Sequence, residues 1–184
     1  SLRNPVNPSI GADELSINDN DAGAMAVTNL GFPVILGSNN VIASIRNYGN
    51  NTLTAATVNW SVNGTVQAPY TWNGSIATGD SAVNLNIGSF NFATPQKYTI
   101  RVWTSLPNGV TDPNFLNDST SKIVYPALCG SFTIAGTSPD FSTLSAASAY
   151  ASLSGITCPV VFNIRDGNYN ESDTINFIPG SSAV

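Results

Sequence analysis

The 184-residue chain is poor in charge: 9% of its residues are charged, against about 25% in a typical soluble domain, and its net charge is −5. Its six Lys and Arg residues are spread singly, so nucleic acid is not expected as a partner. The chain has no histidine, which removes the commonest general base, and no catalysis is expected. No apolar run approaches the roughly 20 residues that span a bilayer, so membrane insertion is not expected either.

The N-terminal region shows neither an initiator Met nor a signal-peptide pattern, so the sequence is expected to be a segment of a longer protein. Residues 1–20 contain prolines, a glycine and a polar run without apolar periodicity. They are therefore predicted to form a linker.

Four aspartates are oxygen donors of the kind that calcium prefers, and calcium stiffens linkers between many extracellular modules. They are Asp19, Asp21, Asp112 and Asp118. None fits the twelve-residue helix-loop-helix calcium pattern, so turn capping is favoured for all four. No cofactor is expected, and structural calcium is the alternative.

Residues 21–126 are predicted to form an antiparallel β-sandwich of about seven short strands, because apolar and polar residues alternate between Gly, Asn and Pro clusters. The alternation is clearest at Val58, Trp60 and Val62, which predicts a buried face. The Asn63-Gly64 dipeptide that follows is well suited to a tight hairpin turn. Further buried faces are predicted at Val41, Ala43, Ile45, Val83, Leu85, Ile87, Tyr98, Ile100 and Val102.

Three aromatic residues are candidates for stacking on a sugar ring. Tyr70 and Trp72 share one strand face near a turn, where packing at a sheet edge is the favoured alternative. Trp103 follows Val102 and is predicted to lie on the outer face near Arg101, against a neighbouring domain or a ligand.

The pattern changes after the sandwich. Ser138 precedes Pro139 as a capping hydroxyl would, and apolar residues at helical spacing predict a short helix that ends near Gly155. An apolar run of strand length follows at 159–164, and a second strand is predicted near Thr174.

Two cysteines, Cys129 and Cys158, flank this helix. In a chain of low charge that is rich in hydroxyl groups, a disulfide is favoured over two free thiols or a metal site. The disulfide implies an oxidising, extracellular compartment.

Two motifs of the second half follow one another: Asp140-Phe141-x-Thr143-Leu144-x-x-Ala147 and Val161-x-Asn163-Ile164-x-x-Gly167-x-Tyr169-x-Glu171. They resemble the cap helix and the first rung of a pectin-lyase-type right-handed parallel β-helix. A solenoid needs an atypical cap because the end of its apolar stack would otherwise meet water. The resemblance implies that residues 127–184 are the N-terminal cap and first rung of such a β-helix.

The motifs of the first half are Asn47-Tyr48-Gly49-Asn50-Asn51-Thr52, Trp60-Ser61-Val62-Asn63-Gly64 and Asn114-x-x-Asn117-Asp118. They resemble the adhesion-related immunoglobulin-like modules of bacterial surface proteins. Residues 9–15 are similar to the phrase that closes many bacterial β-helix domains, which makes 1–20 the expected end of an upstream β-helix. The implied fold is mainly β: an immunoglobulin-like sandwich followed by the helix-capped first rung of a parallel β-helix.

This arrangement resembles large secreted adhesins of gliding, Bacteroidetes-type bacteria, which are cargo of the type IX secretion system. Three triplets resemble the Asp-Ser/Thr-apolar signal at which such bacteria attach O-glycans, with acceptors at Ser81, Ser119 and Thr174. The resemblance implies a location at the cell surface.

Asp166, Glu171 and Asp173 could suggest the paired carboxylates of a glycosidase. In β-helix enzymes the active site lies along the middle rungs, whereas these residues fall at the first rung, so catalysis is not expected from them.

The leading hypothesis is a structural spacer or interaction segment of a cell-surface adhesin, whose partners are neighbouring modules and, as candidates, surface polysaccharide or the secretion and motility machinery. A carbohydrate-binding module is one alternative. The other is the accessory region of a β-helix polysaccharide lyase or hydrolase.

Overall fold

The computed structural model describes residues 18–175 and 177–181. Most of the predicted linker, including the motif at 9–15, therefore lies outside the described residues. Over the described part, the chain forms strands β1 Ala22–Val27, β2 Gly37–Asn47, β3 Leu53–Val62, β4 Thr65–Val66, β5 Tyr70–Ile76, β6 Ser81–Phe92, β7 Tyr98–Ser105, β8 Ser119–Val124, β9 Leu128–Ile134 and β10 Ile156–Ile164, and the helix α1 Leu144–Ser154.

Strands β1 to β8 form the antiparallel sandwich that the sequence predicts. One sheet has the order β1-β2-β6, and the other has the order β5-β3-β7-β8, with the short β4 also pairing with β3. Alternate residues of both sheets meet in a shared apolar core, and such burial is the main stabilising contribution in a protein of this kind.

Trp60 belongs to this core and is 3% exposed. Its indole N–H donates to the carbonyl of Ala68 at 3.0 Å. A Cβ atom on Gly88, which has a φ of +152°, would lie 2.7 Å from Cζ2 of this ring, so only glycine fits there. The predicted hairpin is also confirmed, since Asn63 and Gly64 both have positive φ and join β3 to β4.

Strand β6 departs from the predicted alternation. Ile87 is buried as expected, but Val83 is 60% exposed and Leu85 is only partly buried. The register between β2 and β6 shifts twice, and Asn84 has a φ of +59°, so the strand is bulged and Val83 turns outward.

The described end of the predicted linker packs against the sandwich. The carbonyl oxygens of Asn18 and Asp19 accept from the N–H groups of Asn50 and Asn51 at 3.0 and 2.9 Å. The chain is therefore tied to the turn after β2 before β1 begins.

The second unit is built from β9, α1 and β10. Strands β9 and β10 form a two-stranded parallel sheet, and α1 connects them and packs on one face. The disulfide between Cys129 and Cys158 links the two strands. The described residues thus show a small parallel pair, and they do not show the parallel β-helix that the resemblance implies.

The predicted end of the helix is confirmed, but its predicted start is wrong. The N-cap is Thr143, whose Oγ1 accepts from the N–H of Ala146 at 3.0 Å, whereas Ser138 lies in a turn with a φ of +47°. Gly155 ends the helix as expected. The strand predicted near Thr174 is absent over 165–175 and 177–181.

Candidate functional site

Three of the four aspartates that were candidates for turn capping or calcium binding come together where β1 meets the segment before β8. Asp21 and Asp112 are 3% and 4% exposed, and Asp118 is partly buried beside them. We call Asp21, Asp112 and Asp118 the carboxylate cluster. The fourth candidate, Asp19, is exposed, and its backbone carbonyl bonds to the turn after β2.

Each oxygen of the two buried carboxylates, Asp21 and Asp112, accepts one N–H group. Asp112 accepts from the backbone N–H of Ala22 at 2.9 Å and from that of Asn114 at 3.0 Å. Asp21 accepts from the side-chain amides of Asn114 and Asn117 at 3.0 and 2.8 Å. These bonds hold the 111–118 segment against the start of β1.

Asp118 differs, because its side-chain Oδ1 is buried and has no hydrogen-bond donor. Its backbone carbonyl accepts from the N–H groups of Ala24 and Thr104 at 3.0 and 3.1 Å. Burial, followed by the nearby charges of Asp112 and Asp21, raises the pKa of Asp118 to about 6. The cluster therefore holds one carboxylate whose charge is poorly stabilised at neutral pH.

Burial also raises the pKa of Asp112, although its two backbone hydrogen bonds oppose that shift. Over the described residues, no group of three or more His, Cys, Asp or Glu side chains has an arrangement that could hold a metal ion. The oxygens of Asp21 and Asp112 accept from amides and backbone N–H groups, as the carboxylates of capped turns do.

The aromatic candidates do not form one surface. Trp72 is 6% exposed and Tyr70 packs against the sandwich core, so both point inward from β5. Trp103 lies on the outer face of β7 as predicted, with the guanidinium of Arg101 5.4 Å from its ring centroid. Stacking on a sugar stays a prediction. Of the three candidate rings, Trp103 alone lies on the outer face, and Arg101 partly covers it.

Among the carboxylates of the second unit, Glu171 has a structural role. Its oxygens accept from the backbone N–H groups of Leu144 and Ser145 at 3.2 and 3.0 Å, at the start of α1. The Ser145 bond, and then the Leu144 bond, lower the pKa of Glu171, as expected for an anion at a helix N-terminus. Asp166 and Asp173 are exposed.

Glu171→Ala is expected to lower the melting temperature of the second unit at about pH 7, because two N–H groups lose their acceptor. A lowered folded-state pKa gives stability that is present above the unfolded-state pKa and is lost as the pH falls. The difference from the unsubstituted chain should therefore shrink at about pH 3. Thermal melts at both pH values test this, with the exposed Asp173→Ala variant as the control. A difference in melting temperature between Glu171→Ala and the unsubstituted chain that is equal at the two pH values would contradict the prediction.

The three predicted glycan acceptors lie on the surface. Ser81, Ser119 and Thr174 are all exposed, and Arg101 donates to Oγ of Ser119 at 3.4 Å. Their modification stays a prediction. No helix in the described ranges is long and apolar enough to cross a membrane.

Asn108 was not identified from the sequence as a structural residue. Its Oδ1 accepts from the backbone N–H and the hydroxyl of Thr54 at 2.7 and 3.0 Å, and its amide donates to Oδ1 of Asn20 at 2.7 Å. The only local signal is the Asn108-Gly109 pair, which indicates a turn but not its partners.

No family model and no curated protein matches the chain. Similar solved structures include one domain of a "putative cell surface protein" from Methanosarcina acetivorans, at 23% identity and a TM-score of 0.45, covering 60% of this chain and 94% of that one. The crystal structure of a CARDB domain from Pyrococcus furiosus, in complex with di-metal ions, has 19% identity and a TM-score of 0.42 and covers 61% and 96%. A solution structure of that domain has 19% identity, a TM-score of 0.43 and coverages of 60% and 95%.

Proposed function

We propose that this chain is a non-catalytic structural spacer of a modular extracellular surface protein, in which it sets the orientation of one module relative to the next. The observation that carries the proposal is the junction between the sandwich and the second unit. Backbone pairing and buried side chains cross this junction, so the two units are joined by more than a linker.

The backbone part of the junction lies between β1 and β2. The carbonyl of Val34 accepts from the N–H of Ala127 at 2.6 Å, and Ile35 forms a parallel bridge with Ala127. The next residue, Leu36, packs against the apolar core of the second unit. A loop of the sandwich thus makes one parallel bridge to Ala127, the residue that precedes β9.

The side-chain part of the junction is Tyr150 of α1, which is 8% exposed. Its hydroxyl donates to the carbonyl of Pro126 at 2.9 Å and lies 3.4 Å from that of Gln96 in the sandwich. Interfaces between domains allow motion by default unless they are well packed. Two independent sets of contacts here favour a stiff joint, which suits a spacer.

Two further features support an extracellular setting. The disulfide between Cys129 and Cys158 persists in oxidising compartments. The low charge leaves a surface of amides and hydroxyls.

The more specific identity is proposed from sequence resemblance. We propose that the sandwich is an adhesion-related immunoglobulin-like module, that the second unit begins a parallel β-helix, and that the parent is a secreted adhesin exported by type IX secretion. Its partners would be adjacent modules of the same protein. Electron microscopy of the parent should show a rigid, elongated particle, and a compact globular one would count against a spacer.

The contribution of the joint to stability is testable by substitution. Tyr150→Phe is expected to lower the free energy of unfolding by about 1 kcal/mol, because the Pro126 carbonyl loses its donor. Tyr169→Phe, which removes an exposed hydroxyl bonded to the Arg165 carbonyl, should change it by less than about 0.5 kcal/mol. Urea unfolding measures both.

Nuclear magnetic relaxation of backbone amides gives the complementary result. The sandwich and the second unit should share one rotational correlation time in the unsubstituted chain. Two clearly different correlation times would show that the units move independently, and the spacer proposal would then lose its main support.

A further inference from the structure

The segment before β8 presents two neighbouring apolar side chains to solvent. Phe115 and Leu116, which we call the tip, are 71% and 97% exposed. The residues on both sides of the tip are fixed, because the side-chain amides of Asn114 and Asn117 donate to the buried carboxylate of Asp21 at 3.0 and 2.8 Å. The carboxylate cluster therefore holds the tip in place. An apolar group that is already ordered suits binding, since little conformational freedom is lost when a partner arrives.

A groove lies at the other end of β8, where the sandwich meets the second unit. Strand β8 begins directly after the 111–118 segment and ends at Val124, which lines the groove. The groove encloses about 150 Å³. Sites for small-molecule ligands enclose roughly 300 Å³ or more, so this groove suits a single side chain better. Its other apolar lining residues are Leu30, Phe32, Val34, Ile123, Tyr125 and Leu153.

The mouth of this joint groove is apolar and uncovered. Phe32 and Ile123 of the sandwich and Leu153 of α1 are each more than half exposed. All three line the same groove, so they form one apolar surface that spans both units. Contiguous exposed apolar surface of this kind marks an interaction site, whereas apolar residues scattered singly do not.

The charges near the tip and near the joint groove have opposite signs. The 111–118 segment carries Asp112 and Asp118 and has no Lys or Arg. At the groove, the ammonium of Lys122 donates to the carbonyl of Asn29, which precedes the first lining residue, at 2.6 Å. Two tips would therefore repel each other, whereas a tip and a groove attract. This difference favours a contact between the tip of one molecule and the groove of another.

We propose that the tip of one copy docks in the joint groove of a second copy, so that copies of this chain associate head to tail. The tip and the groove lie at opposite ends of the six-residue strand β8, about 20 Å apart along it, so the contact forms between molecules. A head-to-tail contact leaves a free tip at one end and a free groove at the other, and it therefore extends to further copies. The inference goes beyond the role of a spacer, because it adds assembly between parent molecules.

Sedimentation equilibrium tests the proposal. The weight-average mass of the unsubstituted chain should rise continuously between roughly 10 µM and 1 mM, the range expected for a small, transient contact. Leu116→Gln removes the apolar tip and Leu153→Gln removes one wall of the groove, and both side chains are exposed, so the fold should be kept. Each change should weaken association at least roughly ten-fold. Val83→Thr, which alters an exposed valine of β6, is the control and should associate like the unsubstituted chain.

An equimolar mixture of the two variants gives the sharper result. The Leu153→Gln chain keeps its tip, and the Leu116→Gln chain keeps its groove. Mixing them should restore one contact at the strength of the unsubstituted chain and should stop assembly at two copies. Because both variants must be folded to form this pair, the mixture also excludes misfolding as the reason for weak association of either variant alone.

Four results would each overturn the proposal. The first is a monomeric mass of the unsubstituted chain over the whole concentration range, which would leave the tip and the groove to a different partner. The second is association that neither substitution weakens, and the third is a mixture that associates no better than its components. The fourth is a mass that saturates at two copies in the unsubstituted chain, which would indicate a symmetric contact instead.

Discussion

Replacing both Cys129 and Cys158 with serine is expected to lower the free energy of unfolding of the second unit by about 3 to 4 kcal/mol. The disulfide joins residues 29 positions apart, and a cross-link of that span restricts the unfolded chain by this amount on the chain-entropy model. Over 127–175 and 177–181, the second unit has a two-stranded sheet and one helix, so it has little other packing to compensate.

Urea unfolding with and without a thiol reductant measures the effect. Cys129 is exposed, so the reductant should reach the bond and bring the unsubstituted chain to the stability of the double serine variant. The reductant should leave the double variant unchanged. A second-unit transition that is identical in the oxidised chain and in the double variant would show that the cross-link does not stabilise the unit.

The sandwich could be predicted because its information is local. Val58, Trp60 and Val62 alternate with polar residues, and Asn63-Gly64 sets the hairpin without reference to any distant residue. The same alternation failed at Val83, because the bulges of β6 are defined by its register with β2.

The start of α1 shows a similar limit. Ser138-Pro139 has the local appearance of a helix start, but Phe141 instead forms a parallel bridge with Ile134 of β9. The helix begins only after Thr143, which caps it. Local propensity predicts the helix, whereas the pairing of Phe141 with the preceding strand β9 competes with an earlier start.

The grouping of the three aspartates in the carboxylate cluster could not be predicted from the sequence, for a related reason. The Asp112 side chain bonds to Ala22 across 90 positions, and nothing local to either residue predicts that contact. The sequence supplied the residue types, and the sandwich topology brings β1 next to the 111–118 segment. The electrostatic character of Asp118 follows only from that arrangement.

Asp118→Asn is expected to raise the free energy of unfolding at about pH 7 by about 1 to 2 kcal/mol. The pKa of Asp118 rises from 3.8 to about 6 on folding, which would correspond to about 3 kcal/mol, and partial exposure to solvent reduces that figure. Asparagine removes this partly buried charge and keeps the size of the side chain.

The pH dependence separates this electrostatic effect from a change in packing. A group whose pKa is raised on folding contributes stability below its unfolded-state pKa of 3.8, and that contribution is lost as the pH rises through about 6. The unsubstituted chain should therefore lose stability across this window, and Asp118→Asn should lose less. Asp166→Asn, which removes an exposed carboxylate of the second unit, is the matched control. If the curves of Asp118→Asn and the unsubstituted chain run parallel from pH 3.8 to about 6, the buried charge of Asp118 is not the source of the instability.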